Sequence, residues 1–139
     1  MAIIGLLVTT LMFGQSNFSK ISVSTDSTYG YTDGNPLRMK KGNQEKSMGY
    51  SIDFLKILRT EDDQKLELIQ RFTVDDPNYV RSKTQLVNRY TGMPISGKLG
   101  LLDKYYFVTM EKRDTLIIFV DIYNKGELKL PKGLKIKDE

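Results

Sequence analysis

The sequence predicts an α+β fold, a mainly antiparallel sheet of about four to five strands with one principal helix, and three segments carry that prediction. Residues 44–59 place Met48, Ile52, Leu55 and Leu58 at helical spacing on one side. Residues 65–74 alternate, with Leu66, Leu68, Phe72 and Val74 set against Glu67, Arg71 and Thr73; this is the period of a strand with one wet face. Residues 101–110 and 115–123 are two further strands, joined by the polar link Glu111-Lys112-Arg113-Asp114, which is of hairpin length.

Taken from the start of the chain, residues 2–13 form an uncharged apolar run from Ala2 to Phe13, followed at once by Gly14-Gln15-Ser16-Asn17. A helix needs roughly 20 apolar residues to cross a bilayer, so this run is too short to span one and has the length of a signal-peptide core. Gly14 and Ser16 supply a small-x-small pair, which places the expected cleavage after Ser16, with Gly14 as the alternative. Residues 1–16 are therefore expected to be a signal peptide that is removed, and residues 17–139 a single α+β domain, periplasmic or secreted. The run departs from the pattern at its start, where no Lys or Arg precedes it and the first basic residue is Lys20. A buried N-terminal helix or strand of a cytosolic protein is the alternative for the same residues.

Residues 17–28 are rich in Ser and Thr and read as a flexible leader or a first edge strand. Tyr29 and Tyr31 fall on one face of an extended segment, and Asp33-Gly34 and Asn35-Pro36 are turn formers. In the helix, Gly49 and the β-branched Ile52 are the weak positions. Residues 60–64 form a polar turn, and Asp75-Asp76-Pro77-Asn78 ends the strand before it. From Tyr79 to Lys98 the periodicity lapses, which implies a long irregular connection with a short helical turn near 82–90; long loops in compact domains are often functional. Leu116-Ile117-Ile118-Phe119-Val120 is apolar at every position and implies a central strand covered on both faces.

The 139 residues carry 21 basic and 17 acidic side chains, a formal charge of +4. The charges are interspersed except at the end, where Lys125, Lys129, Lys132, Lys135 and Lys137 recur. That end is expected to be solvated, with weak contact to a membrane surface as its functional alternative; a nucleic acid partner is not expected. The sequence has no cysteine, so neither disulfides, thiolate metal sites nor an N-terminal lipid anchor is expected. It has no histidine either, which removes the side chain that titrates near neutral pH, the Ser-His and Cys-His dyads and His-rich zinc sites. A catalyst here would rely on carboxylates, Lys or Tyr.

Residues Gly92 to Leu99 fit the phosphate loop GxxxxGK up to its last position, where Leu99 stands in place of the magnesium-binding Ser or Thr. Ordinary loop chemistry accounts for the segment. Two acidic groups, Glu61-Asp62-Asp63 and Asp75-Asp76, sit at opposite ends of the strand 65–74, roughly 30 Å apart at about 3.3 Å per residue. Glycosidase carboxylates lie within about 10 Å of one another, so solvated turns are expected. No catalytic residue, cofactor or metal site is expected. The candidate partner-binding residues are the tyrosines that fall in turns and loops, Tyr29, Tyr31, Tyr79 and Tyr90.

The segment Thr28-Tyr29-Gly30-Tyr31-Thr32-x-x-Asn35-Pro36 resembles a motif of small envelope proteins of Bacteroidota. Phe119-x-Asp121-Ile122-Tyr123, followed by Pro131-Lys132-Gly133, is similar to the end of those chains. The resemblance covers the two ends of the domain and implies an envelope location with no particular activity. Its members are often lipoproteins with a Cys after the signal, and this chain departs from them there, which implies a soluble periplasmic or secreted form. Three functions follow as expectations: a non-catalytic domain that binds a protein or glycan partner, an inhibitor or immunity-type protein that blocks a secreted enzyme, and a carboxylate-dependent enzyme acting on glycans.

Overall fold

The computed structural model of the chain describes residues 18–79, 88–92 and 100–137. In chain order the elements are β1 (Leu37–Arg38), α1 (Gln44–Ile57), β2 (Leu58–Thr60), β3 (Leu66–Asp75), β4 (Leu101–Thr109), β5 (Thr115–Asp121) and β6 (Leu134–Ile136). The fold is α+β, with its strands mainly antiparallel. A four-stranded sheet runs β1-β5-β4-β3, in which only β1 joins its neighbour in parallel, and β2 pairs with β6 in a second, antiparallel sheet.

The hairpin β4–β5 forms where the alternation and the short link place it. Thr109 closes the link from both sides: its backbone N–H donates to Asp114 O, and its hydroxyl accepts from Asp114 N. The strand β5 lies between β1 and β4. Its Ile118 and Val120 are fully buried, whereas Leu116, Ile117 and Phe119 are half-buried. The expectation of a strand covered equally on both faces thus gives way to one dry face and one partly open face.

Helix α1 begins where Asn43 caps it, its side-chain oxygen accepting from Lys46 N at 2.8 Å. It stops at Ile57 because Leu58 is already extended and pairs with Ile136. The buried face overlaps the expected Met48, Ile52, Leu55, Leu58 stripe without matching it: Leu55 and Leu58 are buried and Met48 packs against the core, but Ile52 lies outside it. Ser47, Ser51, Phe54 and Leu55 are buried, Met48 is half-buried, and Ile52 is 37% exposed. The two serines can enter the core because their hydroxyls donate to backbone oxygens close by: Ser47 to Asn43 O at 2.9 Å, and Ser51 to Met48 O at 2.8 Å. One buried cluster joins Phe54, Leu55 and Leu58 to Tyr105, Phe107, Ile118 and Val120.

A β-bulge changes the reading of β3. Leu68 lies opposite Phe107 and Gln70 opposite Tyr106, so Ile69 is an extra residue without a partner. The bulge reverses the alternation: Leu66 and Leu68 share the face of Phe107, while Phe72 and Val74 turn to the other face, level with Lys104 and Leu102. Residues 67–73 are exposed without interruption, so the strand expected to have one wet face has two.

Both ends of the described chain are tied into the core. Phe18 is buried, its ring centroid 5.1 Å from that of Tyr50 and 5.2 Å from that of Phe54. Ser24 N donates to Leu130 O and Leu130 N to Ser22 O, so the Ser/Thr-rich leader bridges to the C-terminal segment. The Lys-rich end is not simply solvated: Leu130, Pro131 and Leu134 are buried, β6 pairs with β2, and Lys135 lies 3.4 Å from Asp63. Residues 2–13, most of the connection 79–98 with its expected helical turn, and the phosphate-loop-like segment beyond Gly92 lie outside the described residues.

Candidate functional site

The tyrosine motif is a clasp. Asp26 organises its loop by accepting from Thr28 N at 2.9 Å, Thr28 Oγ1 at 2.7 Å and Asn35 Nδ2 at 3.1 Å. The Thr28 hydrogen bonds hold the Asp26 carboxyl below its ordinary pKa. Gly30 has φ of 81°, and a Cβ there would stand 3.0 Å from the Pro131 ring, so only glycine lets the two segments approach so closely. The Tyr29 hydroxyl donates to Glu127 O at 3.2 Å and accepts from Lys129 N at 2.9 Å; the Tyr31 hydroxyl donates to Lys132 O at 2.6 Å. Burial pushes both phenols up, Tyr31 to about 12 with the charge of Glu61 adding to it.

The four candidate tyrosines therefore do not form one surface. Tyr29 is 7% exposed and packs in the core, which corrects its assignment to a binding surface. Tyr31 is half-buried on the 127–132 segment. Tyr79 is half-buried, and its ring lies so near Gly100 that a Cβ there would stand 2.5 Å from it. Tyr90 is 91% exposed, in a turn where Asn88 Oδ1 accepts from Tyr90 N.

Two buried carboxylates anchor the larger sheet. Asp121 is completely buried, pairs with Arg38, and accepts from Tyr123 N at 2.8 Å, Asn124 N at 3.0 Å and Asn124 Nδ2 at 2.8 Å. Asp103 is paired with Arg71 at 3.1 Å, and the Arg71 guanidinium lies 5.5 Å from the centre of the Tyr105 ring. Burial, and then the charge of Asp103, pushes the Tyr105 and Tyr123 phenols up. At the exposed turn after β2, hydrogen bonds from Thr60 and Gln64 hold Asp62 down at about 2. Each of these shifts carries its group away from neutral pH. The acidic groups at 61–63 and 75–76 stay at opposite ends of β3, as expected. Among the described residues, no group of three or more His, Cys, Asp or Glu side chains could hold a metal ion, and no helix is long and apolar enough to cross a membrane.

Tyr105 carries a cost of its own: its buried hydroxyl makes no full hydrogen bond, and the Ser51 hydroxyl beside it, which donates to Met48 O, engages it only weakly. A buried unmet hydroxyl costs about 1–3 kcal/mol. Tyr105→Phe is therefore expected to raise stability by about 1 kcal/mol, read as a higher denaturant midpoint with an unchanged slope. A lower midpoint shows that the hydroxyl is engaged.

The most distinctive surface is the open face of the larger sheet. Cross-strand register puts Phe72, Lys104 and Phe119 in one row across three strands, with Gln70, Tyr106 and Ile117 in the next. Phe72 meets Tyr106 edge-on at 5.6 Å, and the Lys104 ammonium stands 5.1 Å from the Tyr106 ring and 5.5 Å from that of Phe119. Phe72 is 41% exposed, and the other three are half-buried. Aromatic faces around a cation can stack on sugar rings or pack against apolar and anionic groups of a protein. The sequence reading misses this surface because the bulge at Ile69 moves Phe72 to a face on which alternation does not place it. No protein family, curated protein or solved structure matches the chain.

Proposed function

We propose that the chain is a non-catalytic exported domain, periplasmic or secreted, that binds a protein or glycan partner of the cell envelope on the open face of its larger sheet. The row Phe72–Lys104–Phe119, with Tyr106 beside it, carries this reading, because it gathers aromatic area and a positive charge where no described element packs over Phe72. Tyrosine is among the side chains that dominate binding energy at interfaces, and phenylalanine is enriched there. The apolar run 2–13 supports export. The resemblance of the Thr28–Pro36 segment to small envelope proteins points to the same compartment.

The test is sedimentation of the processed protein with isolated envelope fractions, before and after protease treatment. Phe72→Ser/Tyr106→Ser is expected to weaken retention about tenfold or more, a loss of at least 1.4 kcal/mol, while Tyr90→Ser leaves it unchanged. Protease sensitivity of the retained fraction identifies a protein partner, and resistance a glycan. Equal retention of all variants contradicts the assignment of the face.

A further inference from the structure

The free edge of the larger sheet is built to accept another strand, and we propose that it accepts β3 of a second copy of this chain, antiparallel, about a two-fold axis at Thr73. The proposal rests on the edge of β3, not on the occupant of the open face.

Among the described residues, β3 pairs along 66–75 only with β4, and no described strand occupies its other edge. Natural edges are usually blunted by bulges, prolines or lysines. Here such guards stand at the two ends: the bulge at Ile69 on one side and Pro77 on the other. Between them, residues 70–75 keep regular register with β4 and contain neither Pro nor Lys; their charges are Arg71, which already pairs with Asp103, and Asp75. Phe72, Thr73 and Val74 in the middle are strong strand formers.

The same six residues are self-complementary. An axis perpendicular to the sheet keeps each face on its own side, so directly opposed residues must share a face. With Thr73 opposite its own copy, Phe72 lies opposite Val74 on the open face, and Arg71 lies opposite Asp75 on the face of Tyr105. The register thus makes one apolar and one opposite-charge cross-strand pair, each repeated by symmetry. Moving the axis to Arg71 sets that cation against itself; moving it to Phe72 leaves Arg71 opposite Thr73. Charge therefore selects the Thr73 axis. Pairing there extends the sheet across two copies and joins their open faces. A contact this short falls below the about 1,000 Å² of a stable interface, so the dimer is expected to dissociate on dilution.

Because the chain has no cysteine, single cysteines report the register cleanly. In the whole processed protein, Thr73→Cys brings two thiols to directly opposed positions, within reach of a disulfide after small adjustments. Gln70→Cys places its thiols roughly 20 Å apart in this register, and the exposed Tyr90→Cys measures random collision. Under mild oxidation Thr73→Cys is expected to cross-link at least tenfold faster than either control. Adding Asp75→Arg, which sets Arg71 against a like charge at a position exposed in the monomer, is expected to remove that advantage. Sedimentation of the cysteine-free protein is expected to show a concentration-dependent dimer that Asp75→Arg abolishes. Equal cross-linking of the three cysteines, a dimer indifferent to Asp75→Arg, or a monomer at all concentrations overturns the proposal.

Discussion

Replacing Ile118 with asparagine is expected to leave little of the protein folded, while the same replacement one residue later, at Phe119, is expected to leave it soluble and cooperative. Ile118 is fully buried on β5, opposite Tyr105, within the cluster that includes Phe54 and Leu58. The substitution forfeits the burial of a large aliphatic side chain and adds an amide with no partner, a combined cost of about 3–6 kcal/mol. A domain of this size has about 5–15 kcal/mol in total, so the loss takes a large share of it, and nearly all of it at the low end of that range. Phe119 faces the open side, where Lys104 stands over its ring; asparagine there is expected to cost about 1–2 kcal/mol of partial burial and cation–π contact. Soluble yield and denaturant midpoints of the two variants check the difference. Equal loss at both positions shows that the open face is covered as tightly as the core.

The second large effect is expected at Asp121. Its carboxylate accepts from Arg38, from the backbone N–H groups of Tyr123 and Asn124, and from the Asn124 amide. It therefore holds β1 against β5 and sets the turn that leads the chain out of the sheet. Asp121→Ala removes the acceptor for four donors and leaves a guanidinium without its counter-charge, at about 3–5 kcal/mol. Arg38→Ala is expected to cost less, because three N–H donors still serve the carboxylate and the Arg38 side chain is partly solvated. Chemical denaturation of both variants should rank them in that order. The reverse ranking shows that the guanidinium, not the N–H cage, stabilises the buried charge.

Legibility in the sequence follows the range of the interactions. The hairpin β4–β5 could be read because alternation and a short polar link are local. The helix could be read for the same reason, through the helical spacing of its apolar residues. Its buried face could be read only in part, because Ser47 and Ser51 count as polar until their hydroxyls are seen bonding to the helix's own backbone. In β3 a single unpaired residue, Ile69, inverted the faces of Phe72 and Val74; its one mark in the sequence is the break in alternation at Ile69-Gln70, where an apolar residue falls on the wet side and a polar one on the dry side. The short strands β1, β2 and β6 are defined by remote partners, as in the pairing of Leu37 with Val120. The tyrosine motif stood out as a pattern, yet its use depends on backbone oxygens 98 and 101 residues away. The open-face site combines both obstacles, since it needs three strands in register and the bulge in place.

The envelope partner stands on export. The measurement that tests it most directly is the intact mass and cell fraction of the natively expressed protein. A species beginning between Gln15 and Asn17 and found outside the cytoplasm is the predicted result, and it directs the partner search to envelope proteins and glycans. A full-length cytoplasmic species contradicts the account: residues 2–13 are then retained, and the envelope partner falls with the signal peptide.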